Sequence, residues 1–166
     1  MRAIPFVVPL AACAATPPMG GPVAIEQESI RYETAPCFGA CPVYAVTVRP
    51  DGTGTFEGQR FTAVTGPRAF TLDPAAYRRF AAALAPYRPA SGDIRYAPGE
   101  ANCDNAPTDM PSASVTWHSN TGAAPQTLSF YYGCRGGGAE ALAATLRRAP
   151  ELLPIADLIG PPQTGR

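Results

Sequence analysis

Four cysteines, at positions 37, 41, 103 and 134, constrain the fold of this chain more than any other feature of its sequence. An even number of cysteines in an exported domain is typical of disulfide bonds. Four cysteines allow three pairings. We favour Cys37–Cys41 with Cys103–Cys134. A chain-entropy argument gives about 2 kcal/mol for the short loop and about 4 kcal/mol for the long one.

The second pairing follows from a predicted hairpin. Two alternating segments, around Val115 and Leu128, flank Asn120-Thr121-Gly122, which is a turn sequence. Folding the chain back at Gly122 brings Cys134 beside the chain near Pro111. Cys103 lies a few residues upstream of that point and can therefore reach Cys134.

The fifth cysteine indicates export. Cys13 follows Met1-Arg2 and an apolar run over residues 4–12, the order of a secretory signal peptide. Leu10-Ala11-Ala12-Cys13 resembles the lipobox of bacterial lipoproteins. The resemblance implies a signal peptide over residues 1–12 and a lipid on Cys13. Residues 13–24 are rich in proline and glycine and are predicted to form a flexible tether.

The lipobox resemblance also predicts where the protein resides. It implies that the protein is held to a membrane by its lipid. The nine-residue apolar run is shorter than the roughly 20 residues that span a bilayer, so we do not expect this run to form a transmembrane helix. Ala14 follows Cys13 where an aspartate would retain enteric lipoproteins in the inner membrane. By that resemblance we expect the outer membrane, with the domain facing the periplasm and a protein partner in the envelope.

Composition excludes several functions. Thirteen arginines and no lysines balance 13 acidic residues, so the formal net charge is zero and we expect no nucleic-acid partner. Without lysine the chain has no P-loop lysine, Schiff base or Ser-Lys nucleophile. With one histidine and no Gly-x-Ser-x-Gly segment, we do not expect a Ser-His-Asp hydrolase. We predict no catalytic residue, no metal site and no cofactor.

Hydrophobic patterning predicts an α+β fold in one domain over residues 25–160, with residues 161–166 a disordered tail. The expected sheet is mostly antiparallel, with two or three helices packed on one face and disulfides fixing the structure. Alternating or β-branched segments predict strands over residues 28–34, 43–49, 53–57, 60–64 and 68–72, and then around residues 115 and 128–132. Residues 86–111 are predicted to form a long loop.

Two helices are predicted from their start signals and their apolar spacing. Asp73-Pro74 supplies an N-cap followed by proline at the first helical position, and Tyr77, Phe80 and Leu84 then lie on one face. The second helix covers residues 139–148, and a short final helix ends at Gly160.

The segment Cys37-Phe38-Gly39-Ala40-Cys41-Pro42 allows three hypotheses: a structural bridge, a redox pair, or a copper site completed by His118. The last resembles the Cys-x3-Cys-Pro motif of copper-delivery proteins with a thioredoxin fold. A reactive thiol of that kind lies at a helix N-terminus, which lowers its pKa. Here Pro42 leads into a predicted strand, so we favour the structural bridge.

Residues 35–44, followed by Asp51-Gly52-Thr53-Gly54, resemble a family of uncharacterised bacterial exported domains with a Pro-Cys-Phe-Gly-x-Cys-Pro-x-Tyr signature. Cys103, Thr108-Asp109 and Tyr132-Gly133-Cys134 fit the same pattern. The resemblance implies family membership and no activity. The sequence therefore favours a non-enzymatic binding or assembly module of the cell envelope, with metal or thiol handling by Cys37 and Cys41 as the alternative.

Overall fold

A computed structural model describes residues 28–104 and 106–161. The predicted signal peptide, Cys13 and the 13–24 tether lie outside the described residues, as do residues 162–166 of the predicted tail. Within the described ranges, every helix is too short or too polar to cross a membrane.

A seven-stranded sheet forms the centre of the domain, with strand order β4-β3-β2-β1-β6-β7-β5. Every neighbouring pair is antiparallel except β5 and β7, so the mostly antiparallel sheet is confirmed. The strands are β1 Glu28–Ala35, β2 Val43–Val48, β3 Thr53–Arg60, β4 Gly66–Thr71, β5 Asp93–Tyr96, β6 Ser112–Ser119 and β7 Gln126–Tyr131.

Three α-helices accompany the sheet: α1 Pro74–Leu84, α2 Ala139–Arg148 and α3 Ala156–Ile159. Single 3-10 turns follow α1 and α2, at Ala85–Tyr87 and Ala149–Leu152. The Asp73 side chain accepts a hydrogen bond from the Ala75 N–H, as predicted for an N-cap.

One hydrophobic core contains side chains from the sheet and from the buried sides of α1 and α2. Directly opposite residues share a face of a sheet, and Tyr32 on β1 lies opposite Val46 on β2 and Val115 on β6. These positions are buried, together with Phe80 on α1 and Leu146 on α2. The sheet positions between them form the opposite face of the sheet, which we call the open face. It is mostly polar, although it also holds the buried Ala45 opposite Glu33, and it includes Arg31, Glu33, Thr47, Glu57, Ser114, Thr116 and Ser129.

The two ends of the sheet differ. We call the end where β1 finishes the far end; it carries segments 36–42, 61–65, 97–111 and 132–138. The near end holds Glu28, where the described chain begins. There the Arg88 guanidinium donates to both Glu28 carboxylate oxygens, at 2.6 and 2.7 Å, and fixes the segment after α1.

Two predictions about strands were wrong. Residues 60–64 do not continue as a strand, because the Ala63 and Val64 N–H groups donate to the carbonyls of Ile159 and Leu158 in α3. The predicted loop 86–111 contains β5, which pairs in parallel with β7 as an edge strand. Pro67 lies within β4, where an edge strand tolerates its missing N–H.

Candidate functional site

Both disulfides lie at the far end. Cys37 is bonded to Cys41, with 5.8 Å between the Cα atoms, and Cys103 to Cys134, with 4.6 Å. This is the pairing expected from the sequence. The Cys103–Cys134 bridge is buried in the core. It joins the 97–111 segment to the segment that connects β7 with α2. The Cys37–Cys41 bridge is half-buried and closes a five-residue loop between β1 and β2.

That small loop presents an aromatic side chain to solvent. Phe38 is 89 % exposed, and the only other large hydrophobic residue that is exposed in the described ranges, Phe61, is also at the far end. The Phe38 N–H donates to the Asp109 carbonyl at 3.3 Å. The Thr34 hydroxyl accepts from the Tyr44 N–H at 3.0 Å and donates to the Pro42 carbonyl at 2.8 Å. The backbone around Phe38 is therefore held on both sides.

An aromatic cleft of about 270 Å³ opens beside this loop, between the far end of the sheet and the C-terminal end of α2. Tyr32, Tyr44 and Tyr132 form its walls. The Arg147 guanidinium carbon lies 4.7 Å from the centre of the Tyr132 ring, a cation–π geometry. The remaining lining residues are small or apolar: Thr34, Ala35, Cys41, Pro42, Pro111, Ser112, Pro150 and Ile159.

The three tyrosines that form the cleft walls are neutral. Burial raises the pKa of Tyr32 well above its ordinary value and also raises the pKa of Tyr44 and Tyr132. All three phenols therefore stay protonated at any physiological pH. Arg147 is the one charged residue among those that line the cleft. The cleft thus combines aromatic surface with a single positive charge.

Hydrogen bonds keep the surroundings of the cleft in place. The Tyr32 hydroxyl donates to the Leu146 carbonyl at 3.0 Å, which ties β1 to the last turn of α2. The Tyr131 hydroxyl donates to the Pro107 carbonyl at 2.7 Å and accepts from the Met110 N–H at 3.0 Å. The irregular 97–111 segment is consequently fixed by the sheet as well as by the Cys103–Cys134 bridge.

The chemistry of the cleft suits binding. Its lining includes no histidine, carboxylate or free thiol to act as a base or nucleophile. Aromatic walls with one arginine are the composition found at the centres of protein interfaces. Such a cleft can hold an apolar group next to a negative charge.

The structure separates the residues of the copper hypothesis. His118 lies opposite Ser29 on β1, whereas Ala35, two residues before Cys37, lies opposite Ser112. Six residues of strand separate these positions, roughly 20 Å. Pro42 leads directly into β2, so neither Cys37 nor Cys41 lies at the N-terminus of a helix. Across the described residues, no group of three or more His, Cys, Asp and Glu side chains is placed to hold a metal ion.

Two other depressions are lined by no tyrosine, phenylalanine or tryptophan of the described residues. A near-end hollow of about 350 Å³ includes Asp51 and His118, and both side chains are exposed. A shallow groove of about 590 Å³ at the far-end margin of the open face is lined by Glu33, Arg60 and Ser114, among others. Neither has aromatic walls. A third depression, of about 310 Å³, is lined by Tyr96, Phe130, Tyr131 and Arg95 among others. The exposed Phe38 belongs to the loop beside the aromatic cleft, so the cleft and Phe38 form the candidate site.

One sheet and one core extend from β1 through α3. A family model, the domain of unknown function DUF6438, matches residues 28–153 of the chain. The chain belongs to the DUF6438 family. No curated protein matches the chain in sequence.

Residues of the DUF6438 domain that carry the sequence resemblance come together at the candidate site. Cys41, Pro42 and Tyr44 of the first motif and Tyr132 of the second all line the aromatic cleft. Sequence reasoning missed Tyr32 and Arg147 as site residues. Periodicity assigns Tyr32 to the core, and a helical arginine at position 147 reads as solvent-exposed. Only the presence of Tyr44 and Tyr132 in the two motifs could have pointed to a shared cleft.

Proposed function

We propose that this DUF6438 protein is a lipid-anchored protein of the cell envelope whose domain is a non-enzymatic binding module. In this proposal Cys13 carries the lipid, the anchor lies in the outer membrane, and the domain faces the periplasm. The support for the anchor is the Leu10-Ala11-Ala12-Cys13 segment behind a charged and apolar start. The support for binding is the candidate site at the far end.

The observation that carries the proposal is Phe38. Its side chain is 89 % exposed and belongs to the same loop that lines the aromatic cleft, so ring and cleft together form one apolar surface. Contiguous exposed apolar surface is typical of binding sites. The Cys37–Cys41 bridge and the Phe38–Asp109 hydrogen bond order its backbone before any partner arrives. Because that ordering cost is met in the free protein, binding loses less conformational entropy.

The position of the site also fits an anchored module. The chain preceding Glu28 joins the sheet at the near end, and Phe38 follows β1 at the far end. Seven strand steps along β1 separate these ends by about 23 Å. A partner could therefore reach Phe38 and the aromatic cleft on the side of the domain opposite to the anchoring segment.

The anchor is tested by fractionation. The wild-type protein is expected in the membrane fraction with a mature N-terminal peptide that begins at a lipid-modified Cys13. Cys13→Ala is expected to give an unprocessed or soluble precursor. A soluble wild-type protein with a different N-terminus would refute the anchor.

Binding is tested by crosslinking in intact envelopes, followed by purification of the full chain. Phe38→Ala is expected to reduce crosslinked partner by at least about 10-fold, since interface aromatics contribute well over 1 kcal/mol. His118→Ala is the matched control, because it removes an exposed ring at the near end. Equal crosslinking by both variants, at equal stability, would contradict the assignment of the far end.

A further inference from the structure

The far end carries two complementary features. Phe38 projects from its loop, and the exposed Asp109 lies beside it, because the Asp109 carbonyl accepts the Phe38 N–H. An exposed apolar ring and an exposed carboxylate are therefore carried by adjacent backbone segments.

The aromatic cleft has properties that complement this ring and carboxylate. Its volume of about 270 Å³ exceeds the roughly 150 Å³ that is enough to hold benzene, so a phenyl ring fits. Its one charge is positive, and no carboxylate of the described residues forms an ion pair with Arg147. The cleft therefore favours an aromatic ring that brings a negative charge with it.

We propose that Phe38 of one copy of this chain enters the aromatic cleft of a second copy, and that Asp109 of the first copy pairs with Arg147 of the second. This inference rests on the proposed binding role of the far end and names the partner. Tyr32, Tyr44 and Tyr132 enclose the incoming ring, and edge-to-face contacts with their rings are favourable.

The arrangement of the two features supports a closed pair. Cys41 and Pro42 line the cleft and belong to the same segment as Phe38, so the projecting ring and the cleft are neighbours on one surface. A surface that carries both halves of a contact can meet its own copy across a two-fold axis, with each contact made twice. Pairing by this route ends at a dimer.

The first test places a photoreactive benzophenone amino acid at position 38 of the full chain in its native membrane. A covalent dimer, with the crosslink mapped to Tyr44 or Tyr132 of the other copy, is expected. A crosslink to a different protein would overturn pairing with a second copy and leave the proposed binding function standing. Absence of any crosslinked product would overturn both.

The second test reverses charges in the purified full chain in detergent. Arg147→Glu and Asp109→Arg are each expected to weaken the dimer by at least about 10-fold in dissociation constant, measured by sedimentation. The double variant is expected to recover most of the loss. Arg148→Glu, one residue along α2, is the matched control and should leave the dimer unchanged. Failure of the double variant to recover, with each single variant folded, would refute the Asp109–Arg147 pairing.

Discussion

Tyr32 on the central strand donates its hydroxyl hydrogen to the Leu146 carbonyl, across 3.0 Å and within the core. Leu146 lies in the last turn of α2, where helix carbonyls have no partner in the helix itself. The phenol therefore satisfies a carbonyl that would otherwise be buried without a hydrogen bond.

Replacing Tyr32 by phenylalanine tests this contact. The ring stays and the hydrogen bond is lost, so Tyr32→Phe is expected to lower the free energy of unfolding by about 1–3 kcal/mol. Urea unfolding measures the change. Tyr96→Phe on β5 removes a hydroxyl from a half-buried tyrosine and serves as the control, with an expected change below about 0.5 kcal/mol. Equal losses in the two variants would argue against the role of Tyr32.

The two disulfides are expected to contribute unequally. Cys103→Ala with Cys134→Ala should cost about 4 kcal/mol, because the bridge closes a long loop, and Cys37→Ser with Cys41→Ser about 2 kcal/mol. Denaturant unfolding of the two double variants under the same conditions compares them. A larger loss at the short loop would mean that the chain-entropy argument does not govern these bridges.

Copper binding by the reduced protein distinguishes a copper site at Cys37 and Cys41 from a structural bridge. Because His118 lies roughly 20 Å along the sheet from the Cys37–Cys41 loop, it cannot complete a site there. Any Cu(I) affinity of the reduced chain should therefore be the same in wild type and in His118→Ala. Competition against a chelator measures it. Tight binding that disappears in His118→Ala would restore the metal hypothesis.

Alkaline pH should unfold the protein through its buried tyrosines. Burial raises the pKa of Tyr77 to about 12, and it raises the pKa of Tyr32, Tyr44 and Tyr132 above the ordinary value. An unfolded tyrosine ionises near pH 10, so above that pH the unfolded chain binds fewer protons than the folded one. Stability is fully present below pH 10 and should fall by about 1.4 kcal/mol per pH unit for each such tyrosine.

Phenolate absorbance, followed together with circular dichroism, checks this expectation. Four of the seven tyrosines should ionise only above the ordinary range, in a step that coincides with unfolding. A full phenolate signal near pH 10 with the fold intact would contradict the burial of these groups.

The stability contributed by the near-end ion pair of Arg88 and Glu28 should depend on the planar shape of the arginine side chain. Arg88 donates two parallel hydrogen bonds to Glu28 and a third, from Nε, to the Gln126 side chain. Lysine keeps the charge but cannot form this fork. Arg88→Lys is expected to lower the free energy of unfolding by about 1–3 kcal/mol, a range typical of hydrogen bonds to charged groups. Arg95→Lys, on the exposed side of β5, is the control for thermal unfolding and should change little.

Local signals predicted most of the fold. Asp73-Pro74 marked the start of α1, and the alternation of Val115 with Trp117 and of Leu128 with Phe130 marked β6 and β7. The short strand β5 was missed because its four residues are too few for a clear alternation, and its pairing with β7, about 34 residues along the chain, leaves no local trace. The bend at residues 61–64 was missed for the same reason, since its backbone partners lie in α3.

The candidate site was predicted only in part. The cysteine count and the hairpin argument led to the pairing of the four cysteines, but no sequence pattern places Arg147 of α2 over the ring of Tyr132. A cleft between a sheet and a helix depends on how the two pack in three dimensions. Periodicity tells which residues are buried, and it does not tell which buried residues stand at an opening.

The position of β1 has a mechanical consequence. The chain ahead of Glu28 leads into a strand that is hydrogen-bonded along both sides, to β2 and to β6. A pull on that chain acts along the strand, so two rows of hydrogen bonds bear the load in shear at the same time. Peeling β1 away would break hydrogen bonds on both of its sides at each step. A tether attached there can hold the domain against tension while the far end remains undisturbed.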